Sequence, residues 1–161
     1  MDRLRFDNIS FGYGDRTLFE GLSLDIKKAR ITSIIGPNGC GKSSLLKLAS
    51  AIHKPREGGI SVFGRKVGEL RPKQRAQLIG HLSQEHSMPP MSVRKLVECG
   101  RHPHHGPFAQ MDASDKEIVE EALSTCGLSA LAERPVPELS GGQRQRAFIA
   151  MIVAQDAPVM L

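Results

Sequence analysis

The chain has no tryptophan, one tyrosine and only 4% aromatic residues. Basic patches interleaved with aromatics, the platforms on which single-stranded nucleic acids stack, are not seen. The net charge of +5 does not restore that reading, because the 22 Lys and Arg are dispersed and gather only around Lys27, Lys28 and Arg30. No run of 18 apolar residues occurs, which excludes a membrane-spanning helix, and the opening Met1-Asp2-Arg3-Leu4-Arg5 lacks the apolar core of a secretory signal. The three cysteines, Cys40, Cys99 and Cys126, are odd in number and lack metal-ligand spacing, so the expectation is reduced thiols in a cytoplasmic chain. Internal repeats, low-complexity tracts and Asp-Glu pairs are all missing.

What is present is the composition of an ordinary soluble protein, 40% hydrophobic and 24% charged. Its length allows a single domain to bury roughly 70% of its extended surface. The segment Gly36-Pro37-Asn38-Gly39-Cys40-Gly41-Lys42-Ser43 matches G-x-x-x-x-G-K-[ST] at every fixed position. Its surroundings fit a phosphate-binding loop: Arg30 to Ile35 reads as a buried strand, and Lys42 to Ile52 as a helix with apolar Leu45, Leu46, Leu48, Ala49 and Ile52. In such a loop the glycines let successive backbone N–H groups wrap a phosphate, Lys42 brings a point charge to the β- and γ-phosphates, and the Ser43 hydroxyl can ligate Mg²⁺.

A second anion-receptive place lies downstream, in Leu139-Ser140-Gly141-Gly142-Gln143. Ser140 followed by Gln143 predicts a capping box, and the two glycines leave amides beside a helix N-terminus open to a close-approaching anion. The apolar run Ala147 to Ala154 then marks a helix buried in a core.

Elsewhere, Leu4 to Ile9 and the alternating Leu22 to Ile26 read as strands of an antiparallel edge, and Gly59 to Gly64 as another short strand. Between Gln84 and Ser140 the pattern turns helical. Val93, Leu96 and Val97 share one face with Gly100 as a stop, and Ser114 to Glu117 reads as a capping box leading to Ile118, Val119, Ala122 and Leu123, stopped at Gly127. The chain closes on Ala157 to Leu161, which looks like the opening of a strand.

The two glycine motifs in this order resemble the nucleotide-binding domain of ABC ATPases, with Gly36 to Ser43 as Walker A and Leu139 to Gln143 as the signature, and the resemblance covers essentially the whole chain. It implies an α/β fold: a P-loop NTPase (RecA-like) core with an antiparallel β edge and an inserted helical subdomain, C-terminally incomplete. Residues 1–161 would form a single incomplete domain, with 1–84 and about 145–161 as the α/β core and about 85–144 as the helical subdomain. It implies ATP and Mg²⁺ as cofactors. Gly36, Pro37, Asn38, Gly39, Cys40, Gly41, Lys42, Ser43 and Ser44 would contact nucleotide in one subunit, with Ser140, Gly141, Gly142 and Gln143 contributing in trans from a second. Tyr13 sits where the family stacks an aromatic on adenine. Gln84 sits where the family's glutamine reaches Mg²⁺ and the attacking water, so Lys42 and Gln84 are the catalytic candidates, with Ser43 and Gln84 as the Mg²⁺ ligands.

The departure from the family is equally specific. The strand opening at Ala157 runs, in the family, into an aspartate for Mg²⁺ and a glutamate that activates water, and neither acid is present. The expectation is an N-terminal portion that binds nucleotide without turning it over.

The stretch Gly100-Arg101-His102-Pro103-His104-His105-Gly106-Pro107-Phe108 has two readings. Its histidines can ligate a metal, although no carboxylate or thiol adjoins them. Alternatively, Gly-Arg-x-Pro-His after this helix resembles importers of ferric siderophores, haem and cobalamin. His53, His81 and His86 join no recognisable constellation. The resemblance therefore implies an importer ATPase subunit, dimeric, docked through its helical subdomain on a transmembrane permease at the inner face of the membrane, served indirectly by a solute-binding protein and without nucleic acid. A chromosome-maintenance ATPase would separate the two motifs with long heptad coils, which are not sustained between Ser43 and Leu139. A translation factor of the same superfamily, or an inactive nucleotide-binding fragment, remains the alternative.

Overall fold

The computed structural model describes residues 4–27, 29–84, 88–105 and 110–161. Lys28, His86, Gly106, Pro107 and Phe108 lie outside the described residues, as does the Met1 to Arg3 opening. Packing divides the chain into two compact units, 1–75 with Leu161, and 76–160.

The first unit is built on a four-stranded sheet of order β2-β1-β3-β4. Strand β1 (Leu4–Tyr13) lies at its centre because Leu4, Phe6, Ile9 and Phe11 are buried while their neighbours face outward. It pairs antiparallel with β2 (Arg16–Ile26) on one side and β3 (Glu57–Val62) on the other, and β4 (Arg65–Lys66) closes the far edge. The antiparallel edge read from the sequence is this sheet. Helix α1 (Lys42–Ala49) buries Leu45 and Leu48, and α2 (Pro72–Ala76) follows a short 3₁₀ turn at Val67–Glu69.

Two expectations in this unit need correction. Helix α1 ends at Ala49 and not at Ile52, because Ala51 takes a left-handed φ of 51°, letting the Ala51 amide donate to Leu48 O and the Ile52 amide to Lys47 O. Arg30 to Ile35 forms no strand. It joins neither sheet, and Ile31 and Ile35 stand 99% and 92% exposed. An apolar β-branched run becomes a strand only where a neighbour accepts its backbone ladder, and none of the described strands does so.

The second unit packs helices around one apolar core. Strand β5 (Ile79–Gly80) precedes α3 (Val93–Glu98), α4 (Ala113–Thr125) and α5 (Gly141–Ala154), and β6 (Val159–Met160) runs parallel to β5. Val93, Leu96 and Val97 from α3, Val119 and Leu123 from α4, and Ala147, Phe148 and Ala150 from α5 share that core. The sequence places the division after residue 84 and at about 145. By packing it falls after residue 75, since β5 pairs with β6 and α5 shares its core with α3 and α4.

The ends of these helices are only partly as the sequence suggests. Helix α4 does close at Gly127, but its cap falls two residues before Ser114: Asp112 and Asp115 form the capping box, each side chain accepting the other's amide at 2.9 and 3.1 Å. Gly100 does not stop the chain after α3, which continues as a 3₁₀ turn over Cys99–His104. The glycine is needed for contact instead, because a Cβ there would stand 2.2 Å from Met151 O of α5.

Candidate nucleotide-binding site

The Gly36 to Ser43 loop lies in the first unit, between β2 and α1. Cys40 N donates to Pro37 O at 3.4 Å, and Gly39 and Gly41 take φ of 80° and 100°. Gly41 is the N-cap of α1 and offers no side-chain cap, so the first-turn amides remain available to an anion. A Cβ at Gly41 would also stand 2.6 Å from the Phe19 ring, so glycine is required on two counts. Arg16 steadies the loop from β2 through a 3.5 Å bond to Gly39 O.

Lys42 Nζ donates to Gly36 O and Pro37 O at 2.8 Å each, which curls the ammonium over the loop it would share with a phosphate. Cys40 Sγ lies 4.0 Å from that ammonium. Ser43 is exposed on the first turn of α1, and its hydroxyl is the hard oxygen donor that Mg²⁺ prefers. Ser44 is buried and meets the Tyr13 hydroxyl at 3.2 Å. Tyr13 is half exposed, and its ring packs edge-on against Phe11 and His53. The structure thus brings Tyr13, the loop and the start of α1 together in one unit.

The signature segment and Gln84 belong to the second unit. Ser140 Oγ accepts the Gln143 amide at 3.3 Å while Gln143 Oε1 accepts the Ser140 amide at 3.0 Å, forming the capping box that the sequence predicts. Gly141 and Gly142 are exposed at the first positions of α5, and Leu139 is buried beneath them. Gln84 is exposed, four residues after β5.

The histidine-bearing turn does structural work. Arg101 and Asp115 are both buried, and Arg101 donates through Nε to Asp115 Oδ1 at 2.9 Å and through Nη1 to Ala154 O at 2.8 Å. His105 Nε2 lies 2.7 Å from Asp115 Oδ2, and His104 Nε2 lies 2.8 Å from Gln155 O. Burial pushes the Asp115 carboxyl up, but Arg101, the Asp112 amide and His105 outweigh it and hold it at about 2. Among the described residues no group of three His, Cys, Asp or Glu is placed to hold a metal. Among them too, no helix is long and apolar enough to cross a membrane.

Sequence reasoning missed three contributors. His53 reaches Tyr13 from the far end of α1, Phe19 sets the shape of Gly41, and Arg101 ties α3 to α5. Each acts on a residue distant in the chain, so no local pattern announces it.

The family model described as ABC transporter matches residues 19–161. The chain belongs to the ABC transporter family, whose ATPase domains bind nucleotide. It is 40% identical over its whole length to the iron(3+)-hydroxamate import ATP-binding protein FhuC of Bacillus subtilis, and 41% identical over 99% of its length to the ferric enterobactin transport ATP-binding protein FepC of Escherichia coli. It covers 60% and 59% of those proteins, so the chain spans about three-fifths of the curated relatives it matches. Among solved structures, MJ1267, an ATP-binding cassette of an ABC transporter, superposes with a TM-score of 0.85 at 26% identity, covering 99% of this chain and 68% of that one. The α/β fold is that of ABC ATPase domains.

Proposed function

We propose that these 161 residues are the nucleotide-binding portion of an ATP-binding subunit that energises uptake of a ferric-siderophore-type solute. The observation that carries the reading is the phosphate loop with Lys42 curled over it and α1 opening uncapped at Gly41. The names of FhuC and FepC and the Gly100-Arg101-x-Pro103-His104 turn support the choice of solute class.

In this reading the loop amides and Lys42 hold the β- and γ-phosphates of ATP and Tyr13 stacks on the base. Ser43 and Gln84 would hold Mg²⁺, which neutralises phosphate charge when bound. Ser140, Gly141, Gly142 and Gln143 present the amides of α5 to the nucleotide of a second copy, so that two nucleotides are enclosed by a homodimer. The helical unit docks on a transmembrane permease, which holds the protein at the cytoplasmic face of the membrane and links it to a solute-binding protein. Lys42 would hold the attacked phosphate and Gln84 would position the attacking water, and the acid that activates that water is not among these residues.

ATP titration of the chain and of Lys42→Ala tests the reading. Charge-assisted contacts are worth roughly 1.5–3 kcal/mol, so the variant should bind about 10- to 100-fold more weakly. Equal affinities would remove Gly36 to Ser43 from the site.

A further inference from the structure

His53 lies outside every motif, yet it is the most connected side chain around Tyr13. Its Nε2 stands 2.9 Å from the Tyr13 hydroxyl, its ring stacks on Phe11 with centroids 5.4 Å apart and planes at 19°, and it meets the Tyr13 ring edge-on at 5.6 Å. Phe11 in turn takes Tyr13 edge-on at 5.1 Å. The Tyr13 hydroxyl also meets Ser44 Oγ at 3.2 Å, on the helix that carries the phosphate loop. A half-exposed tyrosine near a strand end would ordinarily be free to change rotamer. Here it is held at its hydroxyl from two directions and at its ring from two more.

We propose that His53 is a positioning residue for nucleotide, fixing the Tyr13 ring as a preformed base platform in register with the phosphate loop. This rests on the reading of Tyr13 as the surface on which adenine stacks. Ser44 links that platform to α1, and His53, just beyond the end of the same helix, supplies the second hold. A platform already ordered before binding loses less side-chain freedom when the base arrives. His53 therefore acts on the base end of the ligand and not on its phosphates.

The test compares ATP with inorganic tripolyphosphate, which offers the phosphates without the base, by competition against a fluorescent nucleotide. Tyr13 is the only tyrosine in a chain without tryptophan, so circular dichroism in the tyrosine band reads the order of this one ring. His53→Ala should weaken ATP about 3- to 10-fold, the range of one lost hydrogen bond, leave tripolyphosphate unchanged and flatten the tyrosine band. His53→Gln, which keeps a hydrogen-bonding nitrogen, should recover much of both. Tyr13→Phe probes the same bond from the other side and should match His53→Ala, with the double variant no weaker than either. Tyr13→Ala should lose about 10-fold or more for ATP alone, since stacking on a base is worth roughly 1–3 kcal/mol.

If Tyr13→Ala weakens ATP while His53→Ala and Tyr13→Phe do not, the platform stands and the role of His53 is refuted. If Tyr13→Ala leaves ATP affinity unchanged, the platform reading falls and the role of His53 falls with it. Equal losses for ATP and tripolyphosphate in His53→Ala would mark a general structural role and overturn the proposal.

Discussion

Replacing Asp115 by alanine should be among the most destabilising single changes in the second unit. The carboxylate is 3% exposed and Arg101 6%, so removing it strands a guanidinium where water cannot take over its hydrogen bonds. Breaking such a buried pair typically costs about 3–5 kcal/mol, a large share of the roughly 5–15 kcal/mol that holds a domain together. The same substitution removes half of the capping box that opens α4, worth about another 1 kcal/mol. Asp115→Asn should cost less, because its amide oxygen can still accept from Arg101. Arg101, the Asp112 amide and His105 hold the carboxyl well below its ordinary range despite its burial, and a group whose acidity is strengthened by folding adds stability where it is ionised. Because the folded value is the lower one, that contribution is complete above about pH 4 and fades as pH falls toward 2. Urea unfolding at pH 7 and at pH 3, with Glu117→Ala on the exposed face of α4 as control, reads both effects. If Asp115→Ala costs no more than Glu117→Ala, or if Asp115→Asn shows the same acid dependence as the unsubstituted chain, the buried pair is not what holds the turn after α3 to α4.

Three further outcomes follow from the same structure. Gly100→Ala places a Cβ 2.2 Å from Met151 O, so stability should fall by an amount typical of overpacking, about 1–3 kcal/mol, with a lower melting temperature; an unchanged melting temperature would show that α5 and the turn after α3 are not packed this closely. A polypeptide of these 161 residues should release phosphate from Mg-ATP only at background, since it holds no Asp-Glu pair, and turnover that disappears in Lys42→Ala would refute this. Ile31 and Ile35, 99% and 92% exposed in an unpaired segment, should drive self-association, so Ile31→Thr with Ile35→Thr should lower light scattering of that polypeptide, and equal scattering would count against the segment.

The parts of this molecule legible in the sequence are those whose chemistry is local. The Ser140 and Gln143 capping box and the closure of α4 at Gly127 each depend on residues within a turn of one another, and each forms as read. Arg30 to Ile35 failed for the opposite reason: its composition favours a strand, but strandhood is decided by a partner that no local pattern supplies. Asp112 with Asp115 and Ser114 with Glu117 both have the spacing of a capping box, and the partners of the buried Asp115, Arg101 and His105, come from the turn after α3 and leave no local mark. The histidines after Gly100 look like metal ligands in one dimension. In three, His104 and His105 are spent on Gln155 O and Asp115. Tyr13 was legible as a candidate, while the side chain that holds it stands 40 positions away.

Site-resolved thiol labelling tests most directly whether nucleotide occupies the phosphate loop. Cys40 is exposed within the loop, whereas Cys99 and Cys126 are half-buried and burial raises both thiols, which slows them at neutral pH. A maleimide should therefore modify Cys40 first, and peptide mapping distinguishes the three. The account predicts that Mg-ATP protects Cys40 while leaving Cys99 and Cys126 unaffected, that modified protein no longer binds ATP, and that Cys40→Ser binds ATP and resists inactivation. Labelling of Cys40 at the same rate with and without Mg-ATP, in protein that demonstrably binds the nucleotide, would place the site elsewhere and contradict the account.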